Sequence, residues 1–433
     1  MEYVIDKNEV HAIMEKKKLR TQSELAERLG VTKNQLSVIL SAKTNPFKSN
    51  YQKLCDILEI EPVEILKKKE TVIRKKTVDK SEEQLQFGDF VDVSTVKAKR
   101  NYRSLELFAG AGGLALGLEK AGFEACGLVE IDKYAAATLR KNRPDWNVIE
   151  DDIVKVSEVG IKNYLPDHCE IDFISGGYPC QAFSYAGHKL GLDDVRGTMF
   201  FYFAKIISDL MPKVFLAENV KGLTTHDQGK TLKTMISIYE KMGYKVCHYV
   251  LKANNYGVAQ KRERVVIIGI RNDLKLSYRL PKEYDYKPVL RDALKNVPDS
   301  IGEKYPPKKH DVLELVPPGG YWRDLPEDIA KDYMGKSYFS GGGRTGMARR
   351  IAWDEPSLTL TCSPAQKQTE RCHPDETRPF TVREYARIQS FPDDWDFSGS
   401  MSQQYKQIGN AVPVEFAKAV GLSIIDVLNR AED

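Results

Sequence analysis

The sequence contains no apolar run long enough to span a membrane, and its first residues lack the pattern of a signal peptide. Its seven cysteines form no Cys-x-x-Cys pair and no paired framework, which argues against a structural zinc site and favours a reducing compartment. Neither sign of charge dominates, because the net charge is only +4. That balance permits nucleic-acid binding without arguing for it. We therefore expect a cytoplasmic protein with no membrane partner and no bound metal.

The length of 433 residues exceeds what one simple core requires and predicts two or three domains. Hydrophobic residues make up 42% and charged residues 29%, as is typical of globular proteins. Changes in periodicity divide the chain into a helical segment (1–68), a charged linker (69–100), an α/β segment (101–278), an irregular interval (279–403) and a C-terminal segment that packs back onto the α/β segment (404–433). The basic residues of the linker either form a solvated surface or contact phosphates.

The N-terminal segment predicts a bundle of short helices. Thr21-x-x-Glu24 is a capping box, Gly30 ends the helix that follows, and Thr32-x-x-Gln35 opens the next one. The pattern from residue 23 to residue 40 resembles the helix-turn-helix of phage-repressor-type regulators. That resemblance places the start of a recognition helix against DNA, through Lys33, Asn34, Gln35 and Ser37. The alternative is a helical interaction domain whose polar face is only solvated.

A strand-turn-helix-strand unit opens the α/β segment. Its glycine turn, Gly110-x-Gly112-Gly113, follows an apolar strand that ends at Phe108, and a second strand ends at Glu130. Backbone amides at such a turn and a carboxylate about twenty residues later suit a nucleoside ligand. The turn does not match the full dinucleotide spacing, so an oxidoreductase fits these residues poorly.

A short stretch in the middle of the chain carries the main chemical signal. The apolar pair Phe173-Ile174, two glycines and the pair Pro179-Cys180 predict a strand end followed by a tight turn. Cys180 is either a nucleophile on that turn or a buried structural thiol. Glu218 ends a later apolar strand, and we expect it in the same cleft because ligands bind at the carboxyl ends of parallel strands.

Two further groups of residues allow two interpretations each. Arg262 and Arg264 precede an apolar strand and alternate toward one side, so they hold a ligand group or form a structural salt bridge. Asp152, with Ile153 after it, follows another strand end and either accepts from an adenine amino group or caps a helix.

Taken in order, these and later motifs resemble the DNA (cytosine-5)-methyltransferases of bacterial restriction-modification systems. The match runs from about residue 102 to the end and comprises Phe108-Ala-Gly-x-Gly-Gly113, Glu130, Asp152-Ile153, Gly176-Gly-x-Pro-Cys-Gln-x-Phe-Ser184, Arg196-Gly197, Glu218-Asn-Val220, Gln260-x-Arg-x-Arg264, Arg383-Glu-x-x-Arg-x-Gln-x-Phe-Pro392 and Gln407-Ile-Gly-Asn-Ala-Val-Pro413. The resemblance implies an α/β fold with the doubly wound sheet of S-adenosylmethionine-dependent methyltransferases. It also implies a small, irregular, β-rich target-recognition domain at 279–403 beside the all-α helix-turn-helix domain.

The resemblance further implies a mechanism. Cys180 adds to carbon 6 of cytosine, Glu218 protonates or hydrogen-bonds ring nitrogen 3, and Arg264 holds the carbonyl group. Arg262 steadies the loop and the adduct. The implied methyl donor is S-adenosylmethionine, and the residues expected to bind it are Phe108, Gly110, Gly112, Gly113, Glu130, Ile131, Asp152, Ile153, Pro179, Asn410 and Val412.

Double-stranded DNA is the implied substrate, with the target base flipped out of the stack. The residues expected to contact DNA near the target are Gln181, Ser184, Arg344, Gln366, Gln368 and Arg371. Alternatively, much of 279–403 is scaffold. A restriction endonuclease shares the target and need not bind the enzyme, while the N-terminal domain binds an operator and represses the enzyme's own gene. The remaining alternatives are a transcription regulator with a vestigial methyltransferase domain and methylation of RNA.

Overall fold

The computed structural model describes residues 3–17, 19, 21–40, 51–68, 90–167, 169–179, 192, 195–339 and 346–433. The chain divides into two compact units, Met1–Leu85 and Gln86–Asp433. Each unit has its own buried apolar core. None of the helices in the described ranges has the length and apolar character that crossing a bilayer requires.

The N-terminal unit is a small helical bundle closed by one strand pair. Thr21 caps the second helix by accepting a hydrogen bond from the backbone N–H of Glu24 at 3.2 Å, and Gly30 ends that helix at a left-handed φ of 69°. Thr32 and Gln35 form the reciprocal capping pair of the next helix. The elements are β1 (Tyr3–Ile5), α1 (Lys7–Lys16), α2 (Gln22–Leu29), α3 (Lys33–Ile39), α4 (Tyr51–Leu58) and β2 (Leu66–Lys68), which pairs antiparallel with β1.

Strands and helices alternate through the first half of the larger unit. They are β3 (Phe90–Val91), β4 (Tyr102–Leu107), α5 (Gly113–Ala121), β5 (Phe123–Glu130), α6 (Lys133–Asn142), β6 (Val148–Glu150), α7 (Ile153–Val159), β7 (Phe173–Gly176), α8 (Met199–Leu210), β8 (Val214–Val220), α9 (Lys230–Lys241), β9 (Tyr244–Lys252), β10 (Gln260–Lys261) and β11 (Glu263–Arg271).

Seven of these strands form one sheet in the order β6-β5-β4-β7-β8-β11-β9. Strands β4 to β8 pair in parallel within it, whereas β11 runs antiparallel to both β8 and β9. Apolar side chains cover both faces, as the continuous apolar strands predict. The strand order reverses between β4 and β7, which is where sheets of this kind bind ligands. The predicted doubly wound sheet is confirmed.

The interval 279–403 is irregular, as expected, but it is not rich in strands. Its described strands are pairs of residues, β12 (Leu280–Pro281) parallel to β3 and β13 (Ser357–Leu358) parallel to β10. Its described helices are short: α10 (Leu290–Ala293), α11 (Pro307–Glu314), α12 (Glu327–Met334) and α13 (Val382–Ile388).

Side chains replace a strand ladder just after β13, which explains why that strand is short. Leu360 N–H donates to Oε1 of Gln260 at 3.0 Å, and the Tyr385 hydroxyl bonds both N–H and C=O of Thr361. Arg262 donates to the carbonyl oxygen of Leu360. The backbone N–H and C=O groups of Leu360 and Thr361 therefore bond to side chains and not to a neighbouring strand. The expectation of a β-rich interval is corrected.

The C-terminal helices α14 (Met401–Asn410) and α15 (Val414–Ala431) return to the sheet. Helix α15 packs against α5 so closely that a Cβ on Gly117 would lie 2.4 Å from Cβ of Ala417 and 2.5 Å from the carbonyl oxygen of Val414. The last part of the chain thereby covers one face of the sheet and supports the turn that precedes α5.

The sequence predicts a charged linker over residues 69–100, but the last residues of that range are folded in the structure. Strand β3 pairs with β12, and Asn429 bonds the carbonyl oxygen of Lys97 at 2.9 Å and the N–H of Lys99 at 3.0 Å. Residues 90–100 therefore belong to the larger unit. The reason lies in partners more than three hundred residues away along the chain, which no local pattern of charge reveals.

The structure also corrects the expectation that the cysteines are unpaired. Cys126 on β5 forms a disulfide with Cys169, which lies on the segment before β7. The two residues are 43 positions apart, and the packing of that segment beside β5 brings them together. Among the described residues, Cys55, Cys247, Cys362 and Cys372 take part in no disulfide.

Candidate active site

A cavity of about 640 Å³ lies at the carboxyl ends of β4, β5, β7 and β8. It is of the size that binds small molecules and lies at the switch point of the sheet. Most of the predicted catalytic and cofactor-binding residues line it: Phe108, Gly110, Gly113, Glu130, Ile131, Pro179, Glu218, Arg262, Arg264, Asn410 and Val412. A larger groove of about 730 Å³, bordered by residues 92–98 and 282–285, contains none of these residues. We therefore take the smaller cavity as the site.

The glycine turn after β4 forms one wall. Phe108 adopts a left-handed φ of 60°, which is strained for a residue with a side chain and is typical of functional sites. Its ring lines the cavity and makes an edge contact with Tyr178 at 6.4 Å between centroids. A Cβ on Gly113 would lie 2.2 Å from the carbonyl oxygen of Val412, so the C-terminal motif reaches this wall only because residue 113 is glycine.

Glu130 ends β5 with both carboxylate oxygens toward backbone amides. Oε2 accepts from the N–H of Gly110 and Oε1 from that of Asp132, each at 2.7 Å. Burial raises the pKa of Glu130. Each oxygen keeps a free lone pair, so the carboxylate can still accept from a ligand hydroxyl. Ile131 beside it is 66% exposed at the cavity, which is suited to contact with a flat apolar ring.

Glu106 lies inside the cavity and was not singled out from the sequence. Its side chain is only 4% exposed and its Oε2 has no hydrogen-bond partner among the described residues. Its register partner on β7 is Ser175, whose Oγ is also buried and without a partner there. Burial first, and the Glu130 charge second, raise the pKa of Glu106 well above its ordinary range. The sequence feature that could have identified Glu106 is an acidic residue within an otherwise apolar strand.

The turn after β7 brings Gly177, Tyr178 and Pro179 to the cavity. Pro179 is exposed on the cavity wall, and Asn219 donates to the carbonyl oxygen of Tyr178 at 3.0 Å. A Cβ on Gly177 would lie 2.9 Å from Oε2 of Glu218. The glycine therefore lets the turn approach the carboxylate at the end of β8.

Glu218 and Arg264 form an ion pair at this end of the sheet. The Nε of Arg264 lies 2.8 Å from Oε1 of Glu218, without the geometry of a hydrogen bond. Glu218 Oε1 therefore accepts no hydrogen bond from the described residues. Burial raises the pKa of Glu218, and the charges of Arg264 and Arg262 oppose that rise. Burial also lowers the pKa of Arg264. Burial thus favours the protonated form of this carboxyl group, which can present its proton to a ligand.

Arg262 is buried and joins three parts of the chain. Its guanidinium donates to the carbonyl oxygen of Gly409 at 3.2 Å and to that of Leu360 at 3.4 Å. Its Nε has no partner among the described residues, and burial lowers its pKa to about 9. The structure therefore favours the structural interpretation for most of this side chain.

Asp152 and Ile153 do not line the cavity in the described structure. Asp152 caps α7 by accepting from the N–H of Val154 at 2.9 Å, which is the alternative that the sequence allowed. Gly112, with a left-handed φ of 85°, shapes the turn without lining the cavity.

Four predicted residues, Cys180, Gln181, Ser184 and Arg344, lie outside the described residues. Cys180 directly follows Pro179, which does line the cavity. The side chains of Lys33 and Asn34 are also outside the described part, whereas Gln35 and Ser37 are exposed on α3. Gln35 uses its carbonyl oxygen to accept from the N–H of Thr32 and keeps its amide donors.

Arg371 is a correction. Its side chain is 4% exposed and donates to the carbonyl oxygens of Glu370 and Thr359. A guanidinium committed to buried carbonyls cannot read base edges, so Arg371 is scaffold. Gln366 and Gln368 are exposed and stay predicted DNA contacts.

A model of the C-5 cytosine-specific DNA methylase family matches residues 102–426, and a helix-turn-helix family model matches residues 10–65. The chain is 54% identical to the type II methyltransferase M.Sau96I of Staphylococcus aureus over 98% of its length and 99% of that protein. It is 58% identical to the type II methyltransferase M.Eco47II of Escherichia coli over 76% of this chain and 80% of that one.

A crystal structure of a DNA modification methyltransferase encoded within an E. coli prophage shares the fold, with a TM-score of 0.56 and 24% identity. It covers 76% of this chain and 100% of that one. The chain belongs to the C-5 cytosine-specific DNA methylase family. It is a DNA (cytosine-5)-methyltransferase of the restriction-modification type with an N-terminal helix-turn-helix domain.

Proposed function

We propose that the enzyme methylates carbon 5 of a cytosine flipped out of a specific duplex sequence, through a covalent adduct with Cys180. The observation that carries this proposal is the buried ion pair of Glu218 and Arg264, 2.8 Å apart, in one cavity with Pro179. Pro179 directly precedes Cys180 in the chain, which supports Cys180 as the nucleophile of a site that contains this carboxyl group.

The chemistry follows from the weak nucleophilicity of carbon 5. The Cys180 thiolate forms a bond to carbon 6 while Glu218 supplies a proton or hydrogen bond to ring nitrogen 3, which leaves carbon 5 enamine-like. Carbon 5 takes the methyl group, and the sulfonium that donated it leaves as a neutral thioether. A base then removes the carbon-5 proton, the electron pair of that C–H bond re-forms the 5,6 double bond as the Cys180 thiolate leaves, and ring nitrogen 3 returns its proton to Glu218. Arg264 holds the cytosine carbonyl and keeps Glu218 in place.

S-adenosylmethionine would supply an electrophilic methyl group on a sulfonium, and the cavity fits such a molecule. Glu130 has lone pairs for ribose hydroxyls, and the exposed Ile131 offers an apolar surface for adenine. Glu106 lines the cavity, and its buried Oε2, which has no partner among the described residues, requires a polar partner; Oγ of Ser175, its register partner on β7, is in the same condition. The ammonium group of a methionyl moiety suits that pair.

The substrate is supported by both the family and the site. A cytosine inside a duplex cannot reach a cavity at the ends of a buried sheet, so the base must leave the stack. The family supports DNA over RNA. The relatives named as type II methyltransferases support a role in protecting DNA from a restriction endonuclease with the same target, in the cytoplasm where that DNA lies.

The test is bisulfite sequencing of DNA from cells that express the enzyme, together with transfer of labelled methyl groups to duplex DNA. We expect 5-methylcytosine within one sequence context. Cys180→Ser should abolish transfer while the variant still binds DNA and S-adenosylhomocysteine. Methylation by Cys180→Ser at the parent rate would reject the covalent mechanism.

We further propose that the N-terminal domain binds an operator and represses the enzyme's own gene. The domain is a separate compact unit with an exposed Gln35 and Ser37 on the predicted recognition helix. Gln35→Ala combined with Ser37→Ala, and deletion of residues 1–68, should each abolish retention of promoter DNA and spare methylation. Equal loss of both activities would contradict a separate regulatory role. The intact Glu218–Arg264 pair argues against a regulator with a vestigial enzyme domain.

A further inference from the structure

A cysteine thiol contacts one of the residues that line the cavity. Cys362 is exposed and free, on the segment that follows β13, and its Sγ donates to Oδ1 of Asn410 at 2.9 Å. Asn410 is the last residue of α14 and lines the cavity. The contact therefore joins the target-recognition interval to the wall of the cofactor site.

The segment around Cys362 is held firmly against the end of α14. Arg262 donates to the carbonyl oxygens of Leu360 and Gly409, one on each side of the contact. A Cβ on Gly409 would lie 2.3 Å from the carbonyl oxygen of Thr361, so the two backbones are in van der Waals contact. Cys362 is therefore placed by its neighbours and does not need the bond to Asn410 to stay where it is.

The Cys362 thiol selects one orientation of the Asn410 carboxamide. An S–H donates, so the amide oxygen must face it, and the NH₂ group then faces away with two donors. No hydrogen bond from Nδ2 to a described residue competes for that group. Burial raises the pKa of the Cys362 thiol, and the cations facing it, Lys406 and Arg262, oppose the rise. The thiol thus keeps its proton and remains a donor at neutral pH.

We propose that Cys362 is a positioning residue that fixes the Asn410 carboxamide with its donors toward an acceptor group of the cofactor. The proposal rests on the proposed cofactor site and assigns Cys362 no covalent role. It links the recognition interval to the affinity for the cofactor through one side-chain contact. Serine, which keeps an O–H donor, should replace cysteine there, whereas alanine should not.

The test measures binding of S-adenosylhomocysteine to the full-length protein by calorimetry. Cys362→Ala should weaken binding by about threefold to tenfold, as expected for one lost hydrogen bond, and Cys362→Ser should stay within about twofold of the parent. In turnover, Cys362→Ala should raise KM for the methyl donor and leave kcat and KM for DNA unchanged. Cys247→Ala, at a free cysteine that does not line the cavity, is the matched control and should change nothing.

A double-mutant cycle separates positioning from a general structural effect. In an Asn410→Ala background, Cys362→Ala should have no further effect on binding, because the group that it orients is gone. An equal loss in both backgrounds, or no loss from Cys362→Ala in the parent, would overturn the proposal. Failure of the parent protein itself to bind S-adenosylhomocysteine would instead overturn the proposed cofactor site, and the two failures are distinguished by that one measurement.

Discussion

Replacing Glu218 by glutamine tests the chemistry most directly, because the change keeps the shape of the side chain and removes its acid. Oε1 of Glu218 lies 2.8 Å from Nε of Arg264 and accepts no hydrogen bond from the described residues. A glutamine amide can still hydrogen-bond to ring nitrogen 3 but cannot transfer a proton to it. The variant should therefore bind cofactor and DNA and fail in turnover.

The magnitude on turnover follows from the role of a general acid. Proton transfer by a positioned side chain contributes about 10² to 10⁴ in rate. We expect kcat of Glu218→Gln to fall by about that factor, which corresponds to about 3 to 5 kcal/mol of barrier. Burial raises the pKa of Glu218, and the acid works only while protonated, so parent turnover should decline as the pH rises through that pKa. This limb of the pH profile should vanish in the variant.

Stability should fall only slightly. The Arg264 side chain is 13% exposed, so loss of the carboxylate leaves a largely buried guanidinium facing a neutral amide. Removing a partner from a buried pair costs about 3 kcal/mol or more, and the retained amide oxygen reduces this to about 2 kcal/mol. The larger unit spans Gln86–Asp433, and an unfolding entropy of about 2.1 cal/mol/K per residue then gives a shift in Tm of about 3 °C.

The assay is single-turnover transfer of labelled methyl groups to duplex DNA over a range of pH. The matched control is Glu263→Gln, which removes a surface pair with Lys221 one residue from Arg264 and should leave both turnover and Tm unchanged. Turnover of Glu218→Gln within about threefold of the parent would refute the assignment of Glu218 as the acid.

Three further changes have defined outcomes. Glu106→Gln should raise Tm above that of the parent, and the difference in Tm should grow as the pH rises above about 4.5. The reason is that the pKa of Glu106 is raised in the folded state, so the parent loses stability as the pH rises toward that pKa. A difference in Tm that is the same at every pH would contradict this. Gln389→Ala should lower the free energy of unfolding by about 3 kcal/mol in urea denaturation, since buried Gln389 bonds Gln260 and two backbone carbonyls. A loss below about 1 kcal/mol would contradict the contribution of these bonds to stability. Gly177→Ala should cut kcat by about tenfold without changing binding of S-adenosylhomocysteine, because its Cβ would displace Oε2 of Glu218; unchanged kcat would reject that role.

Local patterns in the sequence predicted the strands, the helix caps and the order of the motifs. Thr21, Gly30 and the glycine turn before Gly113 act through neighbours within a few positions, so their roles were visible without the fold. Glu130 and Glu218 were predicted because acids at the ends of parallel strands meet at one edge of a sheet.

Contacts between residues that are far apart in the sequence could not be predicted from local patterns. The disulfide of Cys126 with Cys169, the attachment of residues 90–100 to Asn429, and the burial of Arg371 each depend on partners from other elements. A guanidinium has the same sequence signature whether it contacts DNA or backbone carbonyls. Which one applies is decided by the residues that surround it after folding.

The sequence by itself determined the family, the doubly wound sheet and which side chains have the chemistry for methyl transfer, because those depend on residue type and local spacing. Tertiary structure alone decided that Glu218 meets Arg264, that Oε2 of Glu106 is buried with no partner in the described part of the chain, and that Cys362 contacts Asn410. The physical reason is that desolvation and hydrogen-bond pairing depend on packing between distant segments, and these two effects set the protonation state and the orientation of each group in the site.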